Sequence, residues 1–464
     1  MAPRTNGAFS LLQRLGLFAL PIGLTILGPA WAQDKGAAGG SSGSGGSGGP
    51  RPDGAPAGTG SEQAAGHPWY ALGMMPDPIL DQVLLFYLGE ARMGMTDVGE
   101  VLDTASRVRG DDEYSWTREW EKTAARMRAA AEAGEKAGHR LGAGESFMRA
   151  AAYYRAALHR HPDPAAPEVR RLSENEVACF ARAVRLLSLP VQSVRIPYDD
   201  TTLPGYFFRS ANAGKKAPIL IVHSGRDAWA EDDTYIAQEA LRRGWHCLLF
   251  DGPGQGQTLR LQGLAFRPDW EKVITPVVDF VVKQPGVDSS RIALMGISMG
   301  GALAPRAAAF EKRLKLLVAN PGVLDWGRVV TGFIAERYPE IADMPEKDPQ
   351  GFNALMAQVI AGNPFMRWGL RDTMWKQGCA TPAQLVQEMK KYTNKGFAEK
   401  ITAKTLVVDG EAEEFGQAKE LLAALRCPKD YMLFTAAEAA QLHVQTGSSA
   451  VSCQRIFDWL EENL

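Results

Sequence analysis

The chain has 464 residues, 45% of them hydrophobic, and balances 51 Lys+Arg against 53 Asp+Glu for a formal charge of -2. That length suits two or three domains, and that apolar share can fill their cores, so wholesale disorder is excluded. The near-neutral balance argues against a protein that works by neutralising nucleic-acid phosphates.

At the start, Arg4 and Arg14 precede an apolar run from Leu15 to Leu27, and Ala30-Trp31-Ala32 supplies a small-x-small cleavage pattern. Residues 1–32 therefore read as a secretory signal cut before Gln33, which predicts a periplasmic or secreted protein. The run is short beside the roughly 20 apolar residues a membrane span needs; the alternative is an uncleaved anchor. No later stretch is long and apolar enough to cross a bilayer. Residues 33–66, with GGSSGSGGSGG at their centre, lack large apolar side chains and read as a flexible tether. Five widely spaced cysteines, Cys179, Cys247, Cys379, Cys427 and Cys453, form neither a disulfide scaffold nor a zinc motif. Cys247 is expected to be buried and free.

Residues 67–190 show helical periodicity. Pro76-Asp77-Pro78 introduces the apolar run ILDQVLLFYLGEARMG. A second helix opens at Ser115, which can cap it, and continues to about Ala133. A third carries Phe147, Ala151, Tyr154 and Ala157, and a fourth spans Leu172 to Leu187. Strand and helix then alternate through 191–325 and resume over 401–464. Short apolar runs at Val194–Ile196, Gly205–Phe208, Ala217–His223, His246–Phe250, Arg291–Met295, Leu316–Ala319, Thr405–Val408 and Tyr431–Phe434 read as strands. Such alternation predicts an α/β fold with a mostly parallel sheet covered on both faces. Between them, 326–400 has helical character and the aromatics Phe333, Tyr338, Phe365, Trp368 and Trp375, and is read as a cap over the strand ends.

The chemistry centres on Gly296-Ile297-Ser298-Met299-Gly300-Gly301, a G-x-S-x-G between a strand and a helix. A sharp turn there exposes the serine hydroxyl above the sheet and places the Met299 N–H beside a developing oxyanion. Ser298 is thus the candidate nucleophile. His443 is the only histidine downstream of it, and the order serine, acid, histidine makes it the candidate base. TLVVDGEAEEF offers four carboxylates for the acid. Glu413 is the first choice, with Glu414 and Glu411 behind it and Asp409 too early on its strand. His223-Ser224-Gly225-Arg226-Asp227 follows an earlier central strand, so the N–H of Gly225 or Arg226 is the candidate second oxyanion donor. His223 reads as structural, and Glu231 and Asp232 as acids at a helix start that complement its dipole. In Asp251-Gly252-Pro253-Gly254-Gln255-Gly256 the dinucleotide fingerprint fails, because position 257 is Gln. No metal or organic cofactor is implied.

The elbow in ALMGISMGGALAPRAAAFEKRL, the DGPGQG loop, PEVRRLSENE, FRPDWEKVITPVVDFV and the closing RIFDWLEE together resemble one branch of the α/β-hydrolases, the FrsA-like and 2,6-dihydroxypseudooxynicotine hydrolase-like group. The likeness runs from about residue 70 to the end, including FYLGEARMGMTDVGEVLDTASRV and SWTREWEKTAARM. It implies an α/β-hydrolase core under an N-terminal helical domain that helps close the site. It maps the family triad onto Ser298, His443 and Glu413, where relatives usually carry Asp. It also implies a small-molecule carbonyl substrate and, as among relatives, a homodimer, for which the sequence carries no interface signature. Members divide between carboxylesterases and enzymes that hydrolyse a carbon–carbon bond beside a ketone. Ester cleavage through an acyl-enzyme asks least of the site and is the leading expectation. Carbon–carbon hydrolysis is second, and a catalytically inactive binding protein third.

Overall fold

The computed structural model describes residues 68–75 and 78–464, apart from the side chains of Pro78 and Phe333. The expected signal at 1–32 and tether at 33–66 lie outside the described residues. Five helices come first: α1 (Pro78–Glu90), α2 (Val98–Ser106), α3 (Ser115–Lys136), α4 (Arg140–Leu158) and α5 (Pro167–Leu187). The Asp81 carboxylate collects the N–H groups of Gly73, Met74 and Met75, which ties the incoming chain to the first turn of α1. α2 has no counterpart among the predicted helices; its signal is Asp97, whose side chain caps Gly99 and Glu100. Ser115 does not cap α3. It lies inside the first turn, and its hydroxyl accepts the Arg109 N–H instead. α5 starts at Pro167, ahead of the predicted Leu172, because proline at the first helical position already has the right φ and no N–H to waste.

The sheet has eight strands: β1 (Val191–Tyr198), β2 (Thr201–Phe208), β3 (Ala217–His223), β4 (His246–Phe250), β5 (Val287–Ile297), β6 (Leu316–Asn320), β7 (Lys404–Gly410) and β8 (Lys429–Phe434), in the order β1-β2-β4-β3-β5-β6-β7-β8. β1 and β2 form an antiparallel hairpin and β2 runs antiparallel to β4; every other pairing is parallel. Each predicted strand is present, most of them longer than the apolar run that betrayed it. Helices α6 (Thr234–Arg242), α7 (Gly256–Gln262), α8 (Glu271–Val281) and α9 (Gly300–Ala308) connect the central strands. The insertion holds α10 (Trp326–Arg337), α11 (Met344–Lys347), α12 (Pro349–Ala361), α13 (Pro364–Lys376) and α14 (Pro382–Met389). α15 (Ala418–Ala424) and α16 (Ser449–Asn463) close the chain.

Alternation along β3 sorts the core. Ile219 and Ile221 join the cluster that includes Ile274 and Val278 of α8, while Leu220 and Val222 face Ile236 of α6 and Phe457 of α16. Burying each such side chain contributes about 1.5–3 kcal/mol. The second cluster continues without a break into the N-terminal helices, where Phe180 of α5 meets Tyr206 of β2 edge to face at 4.9 Å. The helical region therefore shares a core with the sheet.

Charge locks the same junction. Arg155 of α4, fully buried, donates to Glu176 of α5 at 3.0 Å and to Asp232 at 2.5 Å. Glu231 accepts from the Tyr206 hydroxyl and from Gln257. This corrects the expectation for Glu231 and Asp232. They sit in a 3-10 turn, Ala230–Asp233, ahead of α6: Asp232 accepts the Trp229 N–H at the turn's start but pairs with Arg155 of the N-terminal helices, and Glu231 is buried against Tyr206 and Gln257. All five cysteines are unpaired, and Cys247 is buried in β4. No described helix is long and apolar enough to cross a membrane.

Candidate active site

β5 ends at Ile297, and Ser298 takes φ 59, a left-handed conformation that costs a non-glycine residue energy. The turn survives because its neighbours have no side chains. A Cβ on Gly296 would lie 2.0 Å from the Gly300 carbonyl oxygen, and one on Gly301 would lie 1.8 Å from that of Pro321. The Ser298 N–H is held by the Asn320 carbonyl at the end of β6, at 2.7 Å. The hydroxyl is thereby lifted above the strand ends.

His443 arrives from the loop between β8 and α16. Its Nε2 lies 3.0 Å from the Ser298 Oγ, and its Nδ1 lies 2.9 and 3.0 Å from the two carboxylate oxygens of Glu413. Two residues after the histidine are bent into positive φ, Val444 at 48 and Gln445 at 55. A β-branched residue rarely accepts this. The strained loop is pinned by an amide pair, Asn320 with Gln445, at 2.9 and 3.2 Å, and the imidazole packs edge to face on Phe415 at 4.7 Å.

Among the four carboxylates at and just past the end of β7, Glu413 is the one hydrogen-bonded to the histidine. Asp409 accepts the Tyr431 hydroxyl at 2.7 Å. Glu411 is exposed and accepts the Ala436 N–H, and Glu414 adds negative charge to the imidazole's surroundings. Burial alone would push the His443 pKa down. The Glu413 charge and hydrogen bond, with smaller help from Glu414 and Asp227, outweigh it and raise the pKa above the usual 6.5. His223, by contrast, is driven down to about 4 by burial. Its Nδ1 bonds the Ser224 carbonyl and its Nε2 accepts from Trp270, so it serves the wall of the site.

The loop after β3 packs directly on the elbow. A Cβ at Gly225 would lie 2.6 Å from the Met299 nitrogen, so only glycine fits. Among the described residues, the N–H groups of Met299, Gly225 and Arg226 donate to no acceptor in the chain. Gln255 explains two of these. Its Nε2 donates to the carbonyls of both Ser224 and Gly225. In a trans peptide the C=O and the following N–H point opposite ways, so drawing these carbonyls toward Gln255 turns the N–H groups of Gly225 and Arg226 away from it.

Ser298 and His443 open on a cavity of about 170 Å3. Its far wall is α1, with Leu80, Val83 and Phe86. The insertion contributes Trp368 alone, so most of the expected cap aromatics do other work. Tyr338 belongs to the apolar cluster under the insertion, Phe365 lies against Arg160 at 4.8 Å, and Trp375 lies 5.7 Å from the Arg260 guanidinium. Phe333 is among the undescribed side chains.

A family model described as "Alpha/beta hydrolase family" matches residues 219–446, from β3 through the His443 loop. Hydrolase acrC of Aspergillus aculeatus is 32% identical over 416 residues, covering 81% of this chain and 94% of its own. The chain belongs to the α/β-hydrolase family. The 20-hydroxy-prefusarin hydrolase FUS2 of Gibberella moniliformis is likewise 32% identical over 394 residues, covering 81% of this hydrolase and 94% of its own length. Among solved structures, 2,6-dihydroxy-pseudo-oxynicotine hydrolase superposes with a TM-score of 0.63 at 21% identity, over 81% of this chain and 95% of that one. AbyA5 does so with a TM-score of 0.56 at 18% identity, over 83% and 94%. The N-terminal helices are thus included in the shared fold, as the motifs implied.

Sequence reasoning missed two things about this hydrolase's site. Gln255 carries no signal of its own beyond a glycine-rich loop. The Asn320–Gln445 pair joins residues too far apart in sequence to be read together. The insertion helices did announce themselves: Asp348-Pro349, Asn363-Pro364 and Thr381-Pro382 each pair a side-chain cap with proline at the first helical position.

Proposed function

We propose that this hydrolase cleaves a carboxylic ester of a small hydrophobic or aromatic substrate through an acyl-enzyme on Ser298. The observation that carries this reading is the hydrogen-bonded chain Glu413–His443–Ser298 opening on a largely apolar cavity. His443 Nε2 takes the Ser298 proton as Oγ attacks the carbonyl carbon, while Glu413 holds Nδ1–H and balances the imidazolium. The negative oxygen of the tetrahedral adduct is met by the Met299 N–H and by that of Gly225 or Arg226. Collapse expels the alcohol with the proton from His443. A water, deprotonated by the same imidazole, then releases the acid.

Intact-mass spectrometry after exposure to an organophosphonate tests this. Wild-type protein should gain one adduct and Ser298→Ala none; an unlabelled, folded wild type would favour the inactive binding protein.

Because the base must be neutral to accept a proton, kcat/KM should fall as pH drops through the raised His443 pKa. The acid limb should therefore have its midpoint above 6.5. A midpoint below 6 in the pH profile of a p-nitrophenyl ester would contradict the Glu413 assignment.

One observation favours a second reading, hydrolysis of a carbon–carbon bond beside a ketone. Asp233 lines the cavity, and burial raises its carboxyl well above the usual range, which favours the protonated form that could supply a proton to a leaving carbon. Product analysis with paired aryl esters and β-diketones separates the two readings.

A further inference from the structure

The insertion barely lines the cavity, yet the end of α13 grips the loop that carries two of the proposed oxyanion donors. Arg226 donates through Nη1 to Thr373 Oγ1 at 2.9 Å, and Thr373 in turn donates to the Gly369 carbonyl at 2.7 Å. Lys376 donates to Asp227 at 2.5 Å and to Asp372 at 2.7 Å. Arg226 closes the ring, with Nε 3.3 Å from Asp227 and Nη2 3.7 Å from Asp372. Lys376 is only 3% exposed and Arg226 4%. Two cations and the Asp372 carboxylate so buried are costly to assemble unless each is paired, and Asp227, 31% exposed in its side chain, completes the pairing from the cavity side, which makes the arrangement rigid and specific.

The loop is thus held from two sides. Gln255 draws the carbonyls of Ser224 and Gly225 to one side, and α13 anchors the side chains of Arg226 and Asp227 on the other. An oxyanion donor misplaced by about 1 Å forfeits much of its effect, since its whole value lies in being aimed before charge develops. Lys376 is nearly fully buried behind Asp227, which lines the cavity, so its path to the site runs through that carboxylate.

We infer that Lys376 is a positioning residue: through Asp227 and Asp372 it sets the Gly225 and Arg226 N–H groups against Ser298, so that the helical insertion completes the oxyanion site rather than roofing it. This rests on the serine mechanism proposed above. It assigns to α13 a part in the chemical step that is distinct from substrate binding.

The test uses a p-nitrophenyl alkylphosphonate. Ser298 Oγ attacks phosphorus, its proton passes to His443, and p-nitrophenolate leaves with the phosphorus–oxygen bonding pair and is read by absorbance. The negative phosphonyl oxygen that develops needs the same donors as an ester adduct. Lys376→Met should lower the maximal rate of inactivation by about 10–100-fold, up to the lower end of the 10²–10³-fold cost of a lost oxyanion donor, while leaving the half-saturating concentration within about threefold. Lys376→Arg should recover part of that rate. Because Lys376→Met leaves a carboxylate in excess, the charge-balanced double variant Lys376→Met/Asp372→Asn is the second arm, with its thermal midpoint measured alongside. It should show the same rate loss.

A folded double variant that reacts at the wild-type rate would overturn the inference. So would a loss confined to the half-saturating concentration, which would make α13 part of the substrate cover. A double variant that does not fold would assign the network to stability and overturn it equally. Absence of any Ser298 adduct on the wild type would instead overturn the serine mechanism, so the two failures are distinguishable.

Discussion

Replacing Glu413 by Gln is expected to lower kcat by on the order of 10³–10⁴-fold while leaving the fold intact. The carboxylate lies within 2.9 and 3.0 Å of His443 Nδ1 through its two oxygens, so Nδ1 carries the proton and Nε2 is left free to accept from Ser298. An amide of the same shape can present its NH₂ to Nδ1, which places the imidazole proton on Nε2, where it faces the serine hydroxyl. The amide also withdraws the charge that stabilises the imidazolium. Both effects act on the chemical step, so KM should change little. The acid limb of the pH profile should move to lower pH, because burial would no longer be outweighed by the Glu413 charge. A loss under tenfold in steady-state ester hydrolysis would mean that Glu413 is not the orienting acid, and Glu414 would be tested next.

The second large effect concerns stability. Arg155→Met should destabilise the protein by about 3–5 kcal/mol, the range for removing one partner of a buried ion pair. Arg155 is 0% exposed, and its partners Glu176 and Asp232 are each 1% exposed in their side chains. Truncation leaves both carboxylates without their cation, in a junction that already buries Glu90, Glu231 and Asp233. The penalty comes from stranded charge more than from lost attraction. A triple variant, Arg155→Met/Glu176→Gln/Asp232→Asn, should therefore recover much of the loss. Urea unfolding of both variants checks this, and a single-variant loss below about 1 kcal/mol would show that the carboxylates neutralise without cost. Asp232 also lines the active-site cavity, so labelling of Ser298 should slow in the single variant.

Local covalent and packing constraints write directly into neighbouring residues, and these were legible without coordinates. Apolar runs such as Ala217–His223 mark strands buried on both faces, and every predicted strand is found in the sheet. The elbow is legible because its glycines are demanded within a few residues of Ser298. His443 follows from scarcity and chain order, and Glu413 from its place just past β7. The predicted boundaries were shorter than the elements, because polar residues at strand ends still pair their backbones. The acids Glu231 and Asp232 were misread because their partners, Tyr206 and Gln257 for Glu231 and Arg155 for Asp232, lie far away in the sequence.

The sequence by itself determined the hydrolase fold and the serine elbow, which depend on steric needs that a short segment must satisfy alone, and it ranked His443 and Glu413 first by scarcity, chain order and place past β7. Only the tertiary structure decided what surrounds them. That α1 rather than the insertion walls the cavity, that Gln255 turns the peptides after Ser224, and that Lys376 grips Asp227 from residue 376 are matters of long-range contact. A hydrogen bond or ion pair between residues distant in the chain leaves no period or spacing behind. It exists only once the hydrophobic core has brought the two segments together.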